Sequence, residues 1–407
     1  MRLTGFALWF LAAVAAAQTA GEVLRPWSPG TLDIHHINTG KGDSALLVFP
    51  DGTSMLVDAG NTLRPGPRVT PQRPGNTRTP GEWIARYVRH MLEPTGIVRL
   101  DYALLTHFHE DHMGELSQAA RRSAGGYQLT GITEVGDAIP IATMLDRGWP
   151  DYAFPGPVTG PMMTNYREFL KWQVQHRKMR VERFEAGRNN QIGAVREPGR
   201  YRDFEVRNIA VNGEIWTGVG SATRAHFPPI DSVPKDNLPA ENMCSAGLRV
   251  SYGKFDYFTG GDMPGLPAEG SPPWHDVETP VAKAVGPVDV HTLNHHGFHD
   301  CCNAFFLGAL RPRVHIMSVY APSHPGMRVL RRLQSTRIYP GPRDVFATNL
   351  MQETKVVIGD ALNRLKSTQG HVLVRVAPGG ASYRVVILDD SAETYRVTAI
   401  HGPYESR

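Results

Sequence analysis

Six consecutive residues, His107-Phe108-His109-Glu110-Asp111-His112, put four metal-ligand side chains into one short stretch, and few folds can use such a string. The run before it, Asp101 to Thr106 (DYALLT), is apolar and β-rich and reads as a buried strand, so the cluster begins just past a strand's carboxyl end. In extended chain, residues two apart face the same way, which aims His107 and His109 at one point. Met113-Gly114-Glu115-Leu116 then opens a helical pattern, leaving Asp111 and His112 on the turn into a helix, from which they reach a second point beside the first. The spacing predicts two adjacent metal ions. Imidazole nitrogen with a hard carboxylate suits zinc, manganese or iron, and the lack of cysteine in the cluster argues against a closed structural zinc site. The competing reading, a solvated histidine-rich loop, needs neither the strand before nor the helix after.

The stretch Thr106 to Gly114 (THFHEDHMG) resembles the signature of the metallo-β-lactamase superfamily. Further stretches narrow the resemblance: Ile37 to Ser44 (INTGKGDS), Leu56 to Gly60 (LVDAG), Thr259 to Asp262 (TGGD), Leu293 to Gly297 (LNHHG), and Ser318 followed by His324-Pro325. They stand in the order seen in the hydrolase domain of ComEC-type DNA-uptake competence proteins, over roughly residues 30 to 345. The resemblance implies an α/β (α+β) fold, a four-layer αββα sandwich of two similar halves, with insertions and a C-terminal β-rich extension. It also implies that His107 and His109 bind one ion, that Asp111 and His112 bind the second, and that Asp262 bridges them, because two carboxylate oxygens can hold two cations. One of His295 and His296 completes the second metal, with His296 favoured because it directly precedes Gly297. The other is free to donate a proton or touch substrate. Asp58 sits behind the ligands and orients a histidine through its second nitrogen.

Asp43 and Lys41 share the Gly-Lys-Gly-Asp turn, Asp43 stabilising it and Lys41 either structural or in contact with substrate; His324 is the other histidine for the rim. Asp111, His295 and His324 are thus the residues expected nearest the chemistry. Many superfamily members carry another histidine ahead of the bridging aspartate, where this chain offers Glu241-Asn242 and, earlier, His226. The ComEC-type asparagine and serine at that place are matched by Asn242 and Ser245. Fewer nitrogens favour a harder ion, so two divalent ions of zinc or of manganese are expected. Such a pair lowers the pKa of a water and polarises the bond attacked, which needs no Ser or Cys nucleophile. The substrate class implied is a phosphodiester, in a small molecule or a nucleic acid. The alternatives are a carboxylic ester, lactone or β-lactam hydrolase of the same superfamily, and a non-catalytic binding protein that keeps the metal for structure.

Composition adds boundaries. With 41% hydrophobic and 20% charged residues in 407, the chain has material for a large core, and a net charge of +4 is too small to argue whole-protein attraction to nucleic acid. The apolar run from Phe6, closing at Ala15-Ala16-Ala17, predicts a signal peptide over 1–17 and export to the periplasm or beyond. A hydrolase domain over 28–345 is expected, with an insertion at about 126–240 and an extension over 346–407. Arg147, Trp149, Tyr152, Tyr166 and Trp172 in the insertion either form its own core or supply stacking and phosphate contacts. Strands are expected at Val356 to Ile358, Val372 to Val376 and Tyr383 to Leu388. Three cysteines, Cys244, Cys301 and Cys302, are either unpaired or joined by a bridge from Cys244 to one of the adjacent pair. Exported protein is expected to begin near Gln18 by intact-mass measurement, and an intact Met1 segment on exported material would reject the cleavage reading.

Overall fold

The computed structural model describes residues 18–407, so the signal-peptide reading on 1–17 lies outside it. Among the described residues no helix is long and apolar enough to cross a membrane.

The strands alternate apolar side chains between two buried faces, and this dictates the layers. In Ala45–Val48, Leu46 and Val48 point one way, into a core shared with helices, while Ala45 and Leu47 point the other, into a core shared with a second sheet. Leu56 against Met55 and Val57, and Ala103 against Tyr102 and Leu104, divide in the same manner. The first sheet has nine strands, in the spatial order Val397–Glu405, Ser382–Leu388, His371–Val376, Leu32–His36, Ala45–Val48, Ser54–Val57, Leu100–Leu104, Ile141–Asp146, Arg180–Arg183. The second has eight: Asp344–Ala347, Val314–Met317, Val290–Thr292, Phe255–Thr259, Gly247–Tyr252, Phe204–Val211, Glu214–Trp216, Thr223–Ala225. Both are mixed. Their inner faces share one apolar core, in which Leu47, Met55 and Leu104 meet Leu248, Tyr257, Val290 and Ile316. Helices Pro80–Leu92, Gly131–Ala138 and Pro161–Arg177 pack on the outside of the first sheet, and Glu278–Val285, Ala304–Leu310 and Met327–Leu333 on the outside of the second. The result is an α+β sandwich.

Helix Pro80–Leu92 shows how local sequence sets these elements. Thr79 accepts a hydrogen bond from the Glu82 amide, Pro80 occupies the first turn, and Ile84, Tyr87, Val88 and Met91 bury one stripe.

The segments read as insertion and extension are built into these sheets. Ile141–Asp146 and Arg180–Arg183 form one edge of the first sheet, and Phe204–Val211 to Thr223–Ala225 one edge of the second. The three C-terminal strands continue the first sheet from Leu32–His36, with His371–Val376 antiparallel to it. The strand expected at Val356 to Ile358 is instead the end of helix Gln352–Ile358; Val356 and Val357 are 75% and 71% exposed, so no sheet claims their β-branched side chains. Arg147, Tyr152 and Tyr166 are interior, with both tyrosine hydroxyls donating to Asp146 Oδ2 at 2.9 Å, which favours the core reading over stacking on a substrate. All three cysteines are free and buried, and the bridge considered from Cys244 is not formed: Cys301 and Cys302 turn toward Glu278 instead.

Two glycines let loops of the first half close over the Asp111 backbone. A Cβ on Gly60 would lie 1.9 Å from the Asp111 carbonyl oxygen, and one on Gly42, at φ +144, would lie 2.3 Å from it. Gly60→Ala is therefore expected to destabilise by about 1–3 kcal/mol in urea unfolding, the cost of overpacking. Gly75→Ala, which meets nothing within 4 Å, serves as the comparison. Equal stability of the two variants would contradict the close approach.

Candidate metal centre

Every side chain of the cluster follows the carboxyl end of a strand with a parallel neighbour. Asp58 follows Ser54–Val57, the His107–His112 string follows Leu100–Leu104, Asp262 follows Phe255–Thr259, His295 and His296 follow Val290–Thr292, and Tyr320 follows Val314–Met317. Strand ends of both sheets open on the same edge, where loops are free to carry chemistry. The halves are tied there by the Ala246 amide donating to the Thr106 carbonyl at 2.9 Å.

The ligand atoms fall into two sets that share Asp262. One atom each from Asp111, His112, Asp262 and His296 lie within 4.8 Å of one another, and so do atoms of His107, His109 and Asp262. Asp262 Oδ1 is 3.1 Å from His112 Nε2 and 3.5 Å from His296 Nε2. Its Oδ2 faces the other way, 3.7 Å from both His107 Nε2 and His295 Nε2. His107 Nε2 is in turn 3.3 Å from His109 Nδ1, and His296 Nε2 is 3.2 Å from Asp111 Oδ2.

Hydrogen bonds on the far side of each ring assign its tautomer. His112 Nδ1 donates to Asp58 Oδ2 at 2.8 Å, His296 Nδ1 to the Ser318 carbonyl at 2.9 Å and His295 Nδ1 to Asp300 Oδ1 at 2.7 Å. The Thr106 hydroxyl donates to Asp58 Oδ2 at 2.7 Å and can accept from His107 Nδ1 at 3.2 Å. Each of these four histidines thus turns an Nε2 lone pair toward Asp262. His112 Nε2 and His296 Nε2 are only 3.2 Å apart, two acceptors with no proton between them in the neutral rings. Buried acceptors at that distance require a cation, either a proton or a metal.

Charge preferences agree. Burial alone would raise Asp111 and Asp262, yet His112 and His296 hold both well below the usual carboxylate range. Burial pulls His112 down, but Asp262, Asp58 and Asp111 together lift it well above an ordinary histidine. The pocket favours positive charge where the lone pairs meet. The donor set fits a divalent ion in each group, with Asp111, His112 and His296 on one side of Asp262 and His107 and His109 on the other.

The remaining residues expected at the site divide. Asn242 Nδ2 reaches His295 Nε2 at 3.3 Å, and Ser245 Oγ accepts from the Asp262 amide at 3.2 Å. The Asp43 amide donates to the Asp111 carbonyl at 2.8 Å, which supports the turn reading, and Lys41 is half-buried beside it. His324 stacks on His296 at 5.0 Å between ring centroids. Burial, together with His296 and His295, holds it well below an ordinary histidine. His226 lies elsewhere, its ring against Phe227.

Sequence reading missed several supports. Tyr320 donates to Asp111 Oδ2 at 2.5 Å, and Asp300 orients His295. Glu241 Oε1 accepts from the Phe108 amide at 2.8 Å and from Arg147 Nε at 2.7 Å, clamping the backbone between His107 and His109. Glu278 accepts from Asn294 Nδ2 at 2.8 Å and from the Cys302 and Asn303 amides at 2.6 and 2.7 Å, fixing both ends of the loop that carries His295 and His296. Tyr320 lies two residues past Ser318, the only local hint available.

No family model matches the chain. No curated protein matches it either.

Asp58 is the test of the supporting shell, since its carboxylate serves both Thr106 and His112. Asp58→Ala is expected to weaken metal binding about 10–100-fold in chelator competition, the usual cost of losing such a partner. Unchanged affinity in a folded variant would contradict it.

Proposed function

We propose that the protein is a dinuclear metal-dependent hydrolase with a metallo-β-lactamase-like αββα fold, and that it cleaves phosphodiesters by attack of water. The observation carrying the metal assignment is that the two oxygens of Asp262 face two different histidine sets. The phosphodiester assignment rests on the resemblance of Gly42-Asp43-Ser44, Gly261-Asp262 and His295-His296-Gly297 to the ComEC-type order. In this reading His107, His109 and Asp262 hold one zinc or manganese ion, and Asp111, His112, His296 and Asp262 hold the other. When bound, such a pair activates a water and neutralises charge on the phosphoryl oxygens.

The chain's own groups supply positioning and a proton. Tyr320 donates to Asp111 Oδ2 and so holds that oxygen beside His296 Nε2, 3.2 Å away. Asp58 and Ser318 fix the rings of His112 and His296. His295 carries the proton for the leaving alkoxide at Nε2: its side chain is 18% exposed against 1% for His296. Burial lowers its affinity for a proton, but Asp262 and Asp300 more than reverse that, so it is charged more readily than an ordinary histidine. A positioned acid of this kind contributes about 10²–10⁴-fold.

The test is hydrolysis by metal-reconstituted protein of bis-p-nitrophenyl phosphate, single-stranded DNA, a lactone and a β-lactam. Phosphodiester cleavage that is abolished by chelation is expected. His295→Gln is expected to lose about 10²–10⁴-fold in kcat with metal retained, most for poor leaving groups, while His296→Ala loses metal as well. Cleavage of lactone or β-lactam with no phosphodiester turnover would move the assignment to the ester and lactam hydrolases.

A further inference from the structure

A cleft of about 610 Å³ opens beside His295, a volume suited to a small organic ligand. Asn242 and Asp300 line it, and both are bonded to His295, so one side chain separates the cleft from the Oδ2 side of Asp262, which His295 Nε2 faces at 3.7 Å. Its near wall leaves Asp262 directly. Pro264, Leu266 and Pro267 line it, and the Gly265 and Leu266 amides both donate to the Asp300 carbonyl at 2.8 Å, which ties that wall to the histidine loop.

The opposite wall is cationic. Arg332 is committed, with Nε on the Cys302 carbonyl at 2.7 Å and an Nη on the Cys301 carbonyl at 2.8 Å. Arg328 is exposed and, among the described residues, has no hydrogen bond, ion pair or ring contact. Asp300, the carboxylate in this lining, is already occupied by His295. The positive charge of Arg328 is therefore uncompensated. A second cleft, about 560 Å³, is lined by Lys41, Arg78 and Arg121; there Arg78 pairs with Glu82 and Arg121 with Glu134, while the half-buried Lys41 has no ion pair among the described residues.

We propose that this cleft is the subsite for one ester arm of the phosphodiester substrate, an arm with a flat or apolar body and a second phosphate-like anion held by Arg328. The inference rests on the phosphodiesterase reading of the metal centre. Pro264 and Leu266 receive the body, and the Arg328 guanidinium pairs with the anion in the bidentate manner that favours arginine at such places.

The probes are the p-nitrophenyl ester of thymidine 5′-phosphate and the same ester carrying a 3′-phosphate, with the metal-loaded full chain. The ratio of their kcat/KM values cancels general effects of a substitution. The native chain is expected to prefer the 3′-phosphorylated ester by about tenfold, the size of one charged hydrogen bond. Arg328→Ala should bring the ratio to near one, and Arg328→Lys should restore part of it. A native ratio near one, or an unchanged ratio in Arg328→Ala, overturns the subsite while leaving the phosphodiesterase reading intact. If neither ester is hydrolysed, that reading fails separately, and calorimetric binding of thymidine 3′,5′-bisphosphate decides the subsite. Binding weakened about tenfold by Arg328→Ala supports it, and equal affinity or no binding overturns it.

Discussion

The site depends on one electrostatic constraint: four imidazole rings and two carboxylates, all buried except the partly exposed His295, point at the same small volume. Each ring has its other nitrogen committed, His112 to Asp58, His296 to Ser318, His295 to Asp300 and His107 to Thr106, so none can turn away. Uncompensated, such an arrangement costs several kcal/mol per buried charge, and it persists because the surrounding sandwich holds it. In the proposed reading, a divalent cation on each side of Asp262 would convert that repulsion into binding energy and so link metal loading to folding.

This explains why the two sheets meet as they do. The first sheet delivers His107 to His112, the second delivers Asp262, His295 and His296, and neither half holds a complete set. Their common core of Leu47, Leu104, Leu248, Tyr257 and Ile316 fixes the relative position of the two strand edges. Close-packed cores deform little, so the sandwich fixes how the loops approach each other. The glycines at 42 and 60 are the local counterpart of that precision.

The part of this legible in the sequence is the part carried by short-range pattern. His107 to His112 sits in one strand-loop-helix passage, so its register follows from alternation alone, and Asp262 and His296 stand directly after β-rich runs. The supports at long sequence separation were illegible. The Glu241 bond to Phe108 spans 133 positions and the Tyr320 bond to Asp111 spans 209, and no local periodicity encodes either. The apparent insertion misled because its prolines interrupt the pattern, while its strands Ile141–Asp146 and Arg180–Arg183 belong to a sheet edge assembled from distant chain. At Val356 and Val357 β-branching pointed to a strand, but with no neighbouring strand to pair, the helical turn prevailed.

The central claim is that Asp262 lies between two cations. X-ray data collected at the absorption edge of the bound metal, from crystals of the metal-saturated chain, test it most directly. The account expects two anomalous peaks, one beside Asp262 Oδ1 among Asp111, His112 and His296, the other beside Oδ2 near His107 and His109. A single peak, or none at this carboxylate, would contradict it.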